Sequence, residues 1–208
     1  MKTNRLAAPI AFALAAACAL GALSCAGCAA SAVDEAADAA AGTNETASAS
    51  DAAGRTLLLP DWYFNNTSDD DVIEILLNAG CTSAERSHDS FAVTMPEAYA
   101  EAFVAGMKSE VQDIVDELSA EAEALGATLA ADDGFATITL TMPSDAYAGS
   151  DGSALALDAQ AAAAAAYVYR SAADLGPCEA VVIDETGAEL ARAALPDDHE
   201  KLLASNEE

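Results

Sequence analysis

Between Pro96 and Gly126 the apolar residues Tyr99, Phe103, Met107, Val111, Ile114, Leu118, Ala122 and Leu125 recur at intervals of three and four. That spacing places them on one face of a long α-helix, whose other side is filled mainly by Glu and Asp. A stripe of this length has to be covered by another helix or a sheet, so it commits the chain to a layered domain. Pro96 is tolerated in a first helical turn, and Gly126 suits the left-handed position that ends a helix.

Two more segments follow the same order: a helix, a glycine, then a pair of short strands. In the first, Ser68 is the expected N-cap, and Asp69 and Asp70 place negative charge at the positive end of the helix dipole. Val72, Ile75, Leu76 and Ala79 form its apolar face, Gly80 ends it, and the hairpin turns at Ser87-His88-Asp89-Ser90. After the long helix, a second hairpin turns at Asp132-Asp133-Gly134, where positive φ is needed. In the third, the spacing predicts a helix over 154–175, closed by Gly176-Pro177 and followed by a turn at Asp184-Glu185-Thr186-Gly187. Its six alanines, Ala161 to Ala166, let a sheet approach closely. Thr56 to Leu59 read as a leading strand stopped by Pro60.

Helices alternating with hairpins predict an α+β domain over 55–196, an antiparallel sheet of three helix–hairpin units with helices packed on one face. Residues 197–208 read as an acidic C-terminal tail. A short internal echo accompanies the repeat: Thr94-Met95-Pro96 and Thr141-Met142-Pro143 each mark a strand end followed by an acidic helix start.

Certain local motifs carry a resemblance: LLLP at Leu57–Pro60, the helix ending at Gly80, FAVTMP at Phe91–Pro96, FATITLTMP at Phe135–Pro143, and VVIDETGAEL at Val181–Leu190. Across 56–195 the chain resembles small exported lipoproteins of Gram-positive bacteria, uncharacterised proteins sometimes labelled antigen I/II N-terminal domain-containing. The resemblance implies the same order of elements and an extracytoplasmic location, and it brings no catalytic residues. The alanine-rich third helix and the cysteines depart from that pattern.

The amino-terminal residues read as an export signal over 1–27. Lys2 and Arg5 provide a basic start, Leu6 to Leu23 carries no charge, and small residues follow. About 20 apolar residues are enough to cross a bilayer, but here alanine dominates, Pro9 interrupts the run and the downstream flank is acidic. In Leu23-Ser24-Cys25-Ala26-Gly27-Cys28 two cysteines compete for a lipid. The small residues before Cys28 favour it, whereas a shorter apolar stretch favours Cys25. Lipidation at Cys28 also leaves Cys81 and Cys178 as an even pair. Residues 28–54 are rich in alanine, serine and acid, a composition expected to remain a disordered tether.

The net charge is −27, and every acidic residue lies after Val33. Such a chain repels phosphate backbones and anionic headgroups, so no nucleic-acid partner is expected. His88 and His199 are the two histidines. Neither has a metal-ligand spacing, so no metal site is expected. Asn65 to Asp71 lacks the glycine and the distal glutamate of a calcium loop. Gly149-Ser150-Asp151-Gly152-Ser153 only superficially resembles a nucleophile elbow and reads as loop. Asp132-Asp133 and Asp184-Glu185 are turn residues first. No catalytic residue and no cofactor is expected.

Two residue sets remain as candidates. Cys81 and Cys178 each enter a hairpin just after a helix-ending glycine, and export permits a disulfide if their strands are adjacent. Two small buried thiols are the alternative. Trp62, Tyr63 and Phe64 form either an exposed aromatic patch or a plug over the end of the sheet. The expectation is a lipid-anchored, non-catalytic envelope domain on the outer face of the membrane, with a binding or structural role toward an unidentified protein or envelope partner. An exported enzyme or cation-binding protein using carboxylates, and a secreted protein without lipid, are the alternatives.

Overall fold

The structure is a computed structural model that describes residues 54–64 and 67–204. The signal segment, the tether up to residue 53, Cys25 and Cys28 lie outside the described residues.

Strand β1 (Gly54–Pro60) leads into a 3-10 turn over Asp61–Phe64 and then helix α1 (Asp69–Asn78). The hairpin β2 (Ser83–Ser87) and β3 (Ser90–Pro96) follows, then the long helix α2 (Glu97–Ala124) and the hairpin β4 (Thr128–Ala131) and β5 (Thr137–Thr141). A short α3 (Ser144–Tyr147) precedes α4 (Ser150–Ala172), the hairpin β6 (Cys178–Ile183) and β7 (Glu189–Leu195), and a final α5 (His199–Ala204). The chain is therefore α+β.

The expected single antiparallel sheet is corrected: the strands form two sheets, ordered β1-β3-β2 and β4-β5-β6-β7. The first is antiparallel throughout, with Leu57 opposite Val93 and Ala84 also opposite Val93. In the second, β5 and β6 run parallel, Thr139 facing Val181. The reason lies in the connection. The chain leaves β5, crosses through α4 and returns as β6 beside it, and a crossover through a helix brings the next strand back in the same direction.

The two long helices pack on each other and each touches strands of both sheets, α2 against β1, β3 and β4, and α4 against β1, β5, β6 and β7. One core fills the space between. Strand alternation supplies Leu57, Leu59, Phe91, Val93, Met95, Ile138 and Leu140 to it. α4 presents Ala159, Ala162, Ala163 and Ala166, all buried, so its backbone lies close to the strands it crosses. The buried stripe of α2 runs Phe103, Met107, Val111, Val115, Leu118 and Ala122. Val115 takes the place expected for Ile114, because steps of four hold the face one position longer before the step of three. In α1 the buried residues are Val72 and Leu76, while Ile75 is 43% exposed.

Ser68 caps α1 as expected, its hydroxyl accepting from the Asp71 amide at 3.3 Å. Gly80 and Gly126 take positive φ at the ends of α1 and α2, where Cys81 N donates to Leu76 O and Ala127 N to Ala122 O. The third cap falls at Asp174 (φ 57°), not at Gly176: Leu175 N donates to Arg170 O at 2.8 Å. Aspartate tolerates the left-handed region better than most residues, so the helix cap falls two residues earlier than its glycine indicates. α4 also begins at Ser150, so residues 150–153 are helix rather than loop. Gly152 makes that possible, because a Cβ there would sit 2.0 Å from Ala146 O. In the second hairpin the residue with positive φ is Phe135 (φ 53°). The expected tail also differs: α5 occupies 199–204, and Leu202 is buried in the core.

Candidate functional site

Pro60 ends β1 and the chain turns at once into Asp61-Trp62-Tyr63-Phe64, which is held from below. Asp61 N donates to Asp89 O at 3.0 Å, and the Asp61 carboxylate accepts from Trp62 N and from Arg86 at 2.5 Å. Arg86 in turn lies over the Phe91 ring at 5.3 Å and near Asp69. The turn is thus clamped to the β2–β3 hairpin, and its three aromatics diverge.

Phe64 is buried, edge-on to Phe91 at 5.3 Å. Tyr63 is half-buried in a crevice with Met107, Glu110, Val111, Ala165 and Val168, between α2 and α4, with room for about one water molecule. Burial, and then the negative charge of Glu110, raises the Tyr63 pKa above its ordinary value. The Glu110 carboxyl is itself raised, by partial burial and then by Asp113. Trp62 lies in a stack, 6.1 Å from the Tyr167 ring at 21° and 5.7 Å from the His199 ring at 20°. Plug and surface features are therefore divided among neighbours: Phe64 is core, Tyr63 lines a crevice, and Trp62 is a half-covered stacking ring.

Cys81 and Cys178 are free, buried thiols that the structure does not join. Equivalent places in their hairpins do not make them neighbours, since β2 belongs to one sheet and β6 to the other. Cys178 Sγ donates to Ala163 O at 3.2 Å. Burial pushes the Cys81 thiol up to about 11 and the Cys178 thiol up to about 12. Both are held in the un-ionised, unreactive form.

The turn carboxylates are engaged by the backbone. Asp132 accepts from the amides of Gly134, Ala136 and Thr137 at 2.9, 3.1 and 2.7 Å. Desolvation pulls its pKa up, but those amides and the charge of Arg170 outweigh it and the net shift is downward. Asp184 accepts from the Thr186 hydroxyl and from the amides of Ala188 and Thr186, which lower its pKa. Ser144 Oγ adds a longer bond at 3.3 Å. His88 occupies the two-residue turn of the first hairpin with φ 55°.

The residue that sequence reasoning missed is Arg170. It is 8% exposed and donates to four backbone carbonyls: Gly134, Leu175, Gly176 and Pro177. Its signal was present, since it is the one basic residue in the alanine-rich third helix. A lone cation there requires either water or a dense set of acceptors. Among the described residues no buried side-chain nitrogen or oxygen lacks a hydrogen-bond partner. Among them, too, no group of three or more His, Cys, Asp or Glu side chains is placed to hold a metal ion, and no helix is long and apolar enough to cross a membrane. Comparisons with family models, with curated proteins and with solved structures returned no match.

Proposed function

We propose that this chain is an exported protein anchored by lipid on Cys28 to the outer face of the cell membrane, carrying a non-catalytic binding or structural domain. The observation that carries this reading is the basic start at Lys2 and Arg5, the charge-free run Leu6–Leu23, and the cysteine that follows Ala26-Gly27. Two acyl chains anchor stably where one does not. The acidic tether holds the domain off an anionic surface that repels it.

The charged groups inside the domain support a non-catalytic role. Arg170, Asp132 and Asp184 are engaged in organising backbone at helix ends and turns. The three helix–hairpin units belong to the same proposal, as does kinship with the small Gram-positive lipoproteins. Their support is a shared sequence of local events: a left-handed cap, a hairpin, a buried Met95, Met142 or Leu195, and a proline before the next helix.

Intact-mass measurement of the membrane-extracted protein tests the reading. The expected product begins at Cys28 and carries a diacylglycerol-derived mass, which Cys28→Ala abolishes. A product beginning at Cys25 moves the anchor. A full-length or unlipidated product in the membrane-free fraction, unlabelled by fatty acid, overturns lipid attachment.

A further inference from the structure

Trp62 is the chain's single tryptophan, and the cover on its indole comes from two different parts of the chain. Tyr167 belongs to the long helix α4, whereas His199 belongs to α5, a six-residue helix. Six residues are too few for a helix to persist in water by itself. α5 is therefore held by its attachments, and its packing neighbours are α4 and β7. Those attachments include the His199–Trp62 stack, the burial of Leu202, and a paired contact in the turn before the helix. There Asp198 N donates to Ala194 O at 2.8 Å, and Ala194 N donates to the Asp198 carboxylate at 2.9 Å. The contacts of His199 Nδ1 with Pro196 O and of Lys201 with Asp198 stay within the segment and move with it.

The indole is anchored independently. Asp61 ties the 3-10 turn to Asp89 and Arg86, and Phe64 is buried two residues on. Loss of α5 therefore removes one ring of the stack and leaves the other two in place. We propose that α5 is a displaceable strap: it opens as a unit while α4 and both sheets stay folded, uncovering the side of the Trp62 ring that His199 covers. Short elements with few buried anchors open at free energies well below that of global unfolding. Access to the Trp62 indole is thereby gated by the chain's own C-terminal segment.

Hydrogen exchange and tryptophan quenching on the full chain test the strap. The amides of Lys201 and Leu202 bond to Asp198 O when α5 is docked, so their exchange reports its opening. They are expected to be about a hundredfold less protected than the amides of Val181 and Val182 in β6. His199→Ala and Leu202→Ala are each expected to raise acrylamide quenching of Trp62 while the unfolding midpoint stays close to that of the parent. Exchange of Lys201 and Leu202 in step with β6 overturns the proposal. Unchanged quenching in both variants, or a loss of midpoint as large as a core substitution gives, overturns it as well.

Discussion

The guanidinium of Arg170 donates to the carbonyl of Gly134 at 2.6 Å, joining the end of α4 to the turn between β4 and β5. Its other nitrogens hold Leu175, Gly176 and Pro177 at the entry to β6. One side chain thus aligns two loops whose strands, β5 and β6, form the parallel pair of the second sheet. Arg170→Met keeps the bulk and removes every donor, leaving partly buried carbonyls without partners. The expected loss is about 3–5 kcal/mol, measured by thermal unfolding followed by circular dichroism. Arg170→Lys keeps the charge but lacks the planar fork, so it should recover only part of that stability. A Met variant within about 1 kcal/mol of the parent would remove Arg170 from this role.

Gly152 gives a prediction opposite in sign to helix propensity. Alanine is favoured over glycine inside a helix by about 1 kcal/mol. Here the added Cβ would lie 2.0 Å from Ala146 O and 2.6 Å from its carbonyl carbon, both backbone atoms that cannot swing aside. Gly152→Ala should therefore destabilise, by about 1–3 kcal/mol as overpacking does. Gly106, whose Cβ position meets nothing within 4 Å, is the control: Gly106→Ala should stabilise by a few tenths to about 1 kcal/mol. Equal effects at the two sites in denaturant titrations would count against the close α3–α4 contact.

How much of this was legible depended on range. The N-cap at Ser68, the caps at Gly80 and Gly126 and the strand alternation at Phe91, Val93 and Met95 are set by neighbours within a few residues, and the sequence carries them openly. The parallel pairing of β5 with β6 depends on which strand α4 returns beside, and no local pattern encodes that. The cap at Asp174 was hidden because Gly176, two residues on, gives the stronger signal. The aromatic run was legible as a candidate, but its division among core, crevice and stack depends on Phe91, Glu110, Tyr167 and His199, all remote in sequence.

Acid should loosen the hairpin turns before it reaches the core. Asp132 and Asp184 both have pKa values below the ordinary carboxylate range in the folded chain, through the amides and hydroxyl that bond them. A depressed folded pKa contributes stability that is fully present above the unfolded value, about 3.9. That contribution is lost as pH falls through the lower folded value. The share of stability that these two carboxylates contribute should accordingly be flat from neutrality to about pH 5 and decline below about pH 4. In Asp132→Asn one oxygen that accepts from Thr137 N becomes a donor, so the variant should be less stable at pH 7 and show a shallower acid decline. Parallel acid-unfolding curves for the two proteins would exclude Asp132 as a contributor.

Export would put Cys81 and Cys178 in a compartment where disulfides form, yet both are free, buried thiols, Cys81 in the turn before β2 and Cys178 in β6 of the other sheet. With pKa values pushed up to about 11 and about 12 by burial, little thiolate is available near neutrality. Alkylation in the native state at pH 8 should be at least about a hundredfold slower than that of an unperturbed cysteine near pKa 8.5. Unfolding without reductant should then label both residues promptly, each as a separate alkylated peptide in mass spectrometry. A Cys81–Cys178 cross-linked peptide under those conditions would mean that the two sheets approach more closely than the present packing allows. Cys178→Ser sharpens the distinction: it replaces a thiol that donates to Ala163 O with a hydroxyl able to make the same bond. It should leave stability within about 1 kcal/mol of the parent, whereas loss of a real disulfide would typically cost 2–5 kcal/mol or about that range.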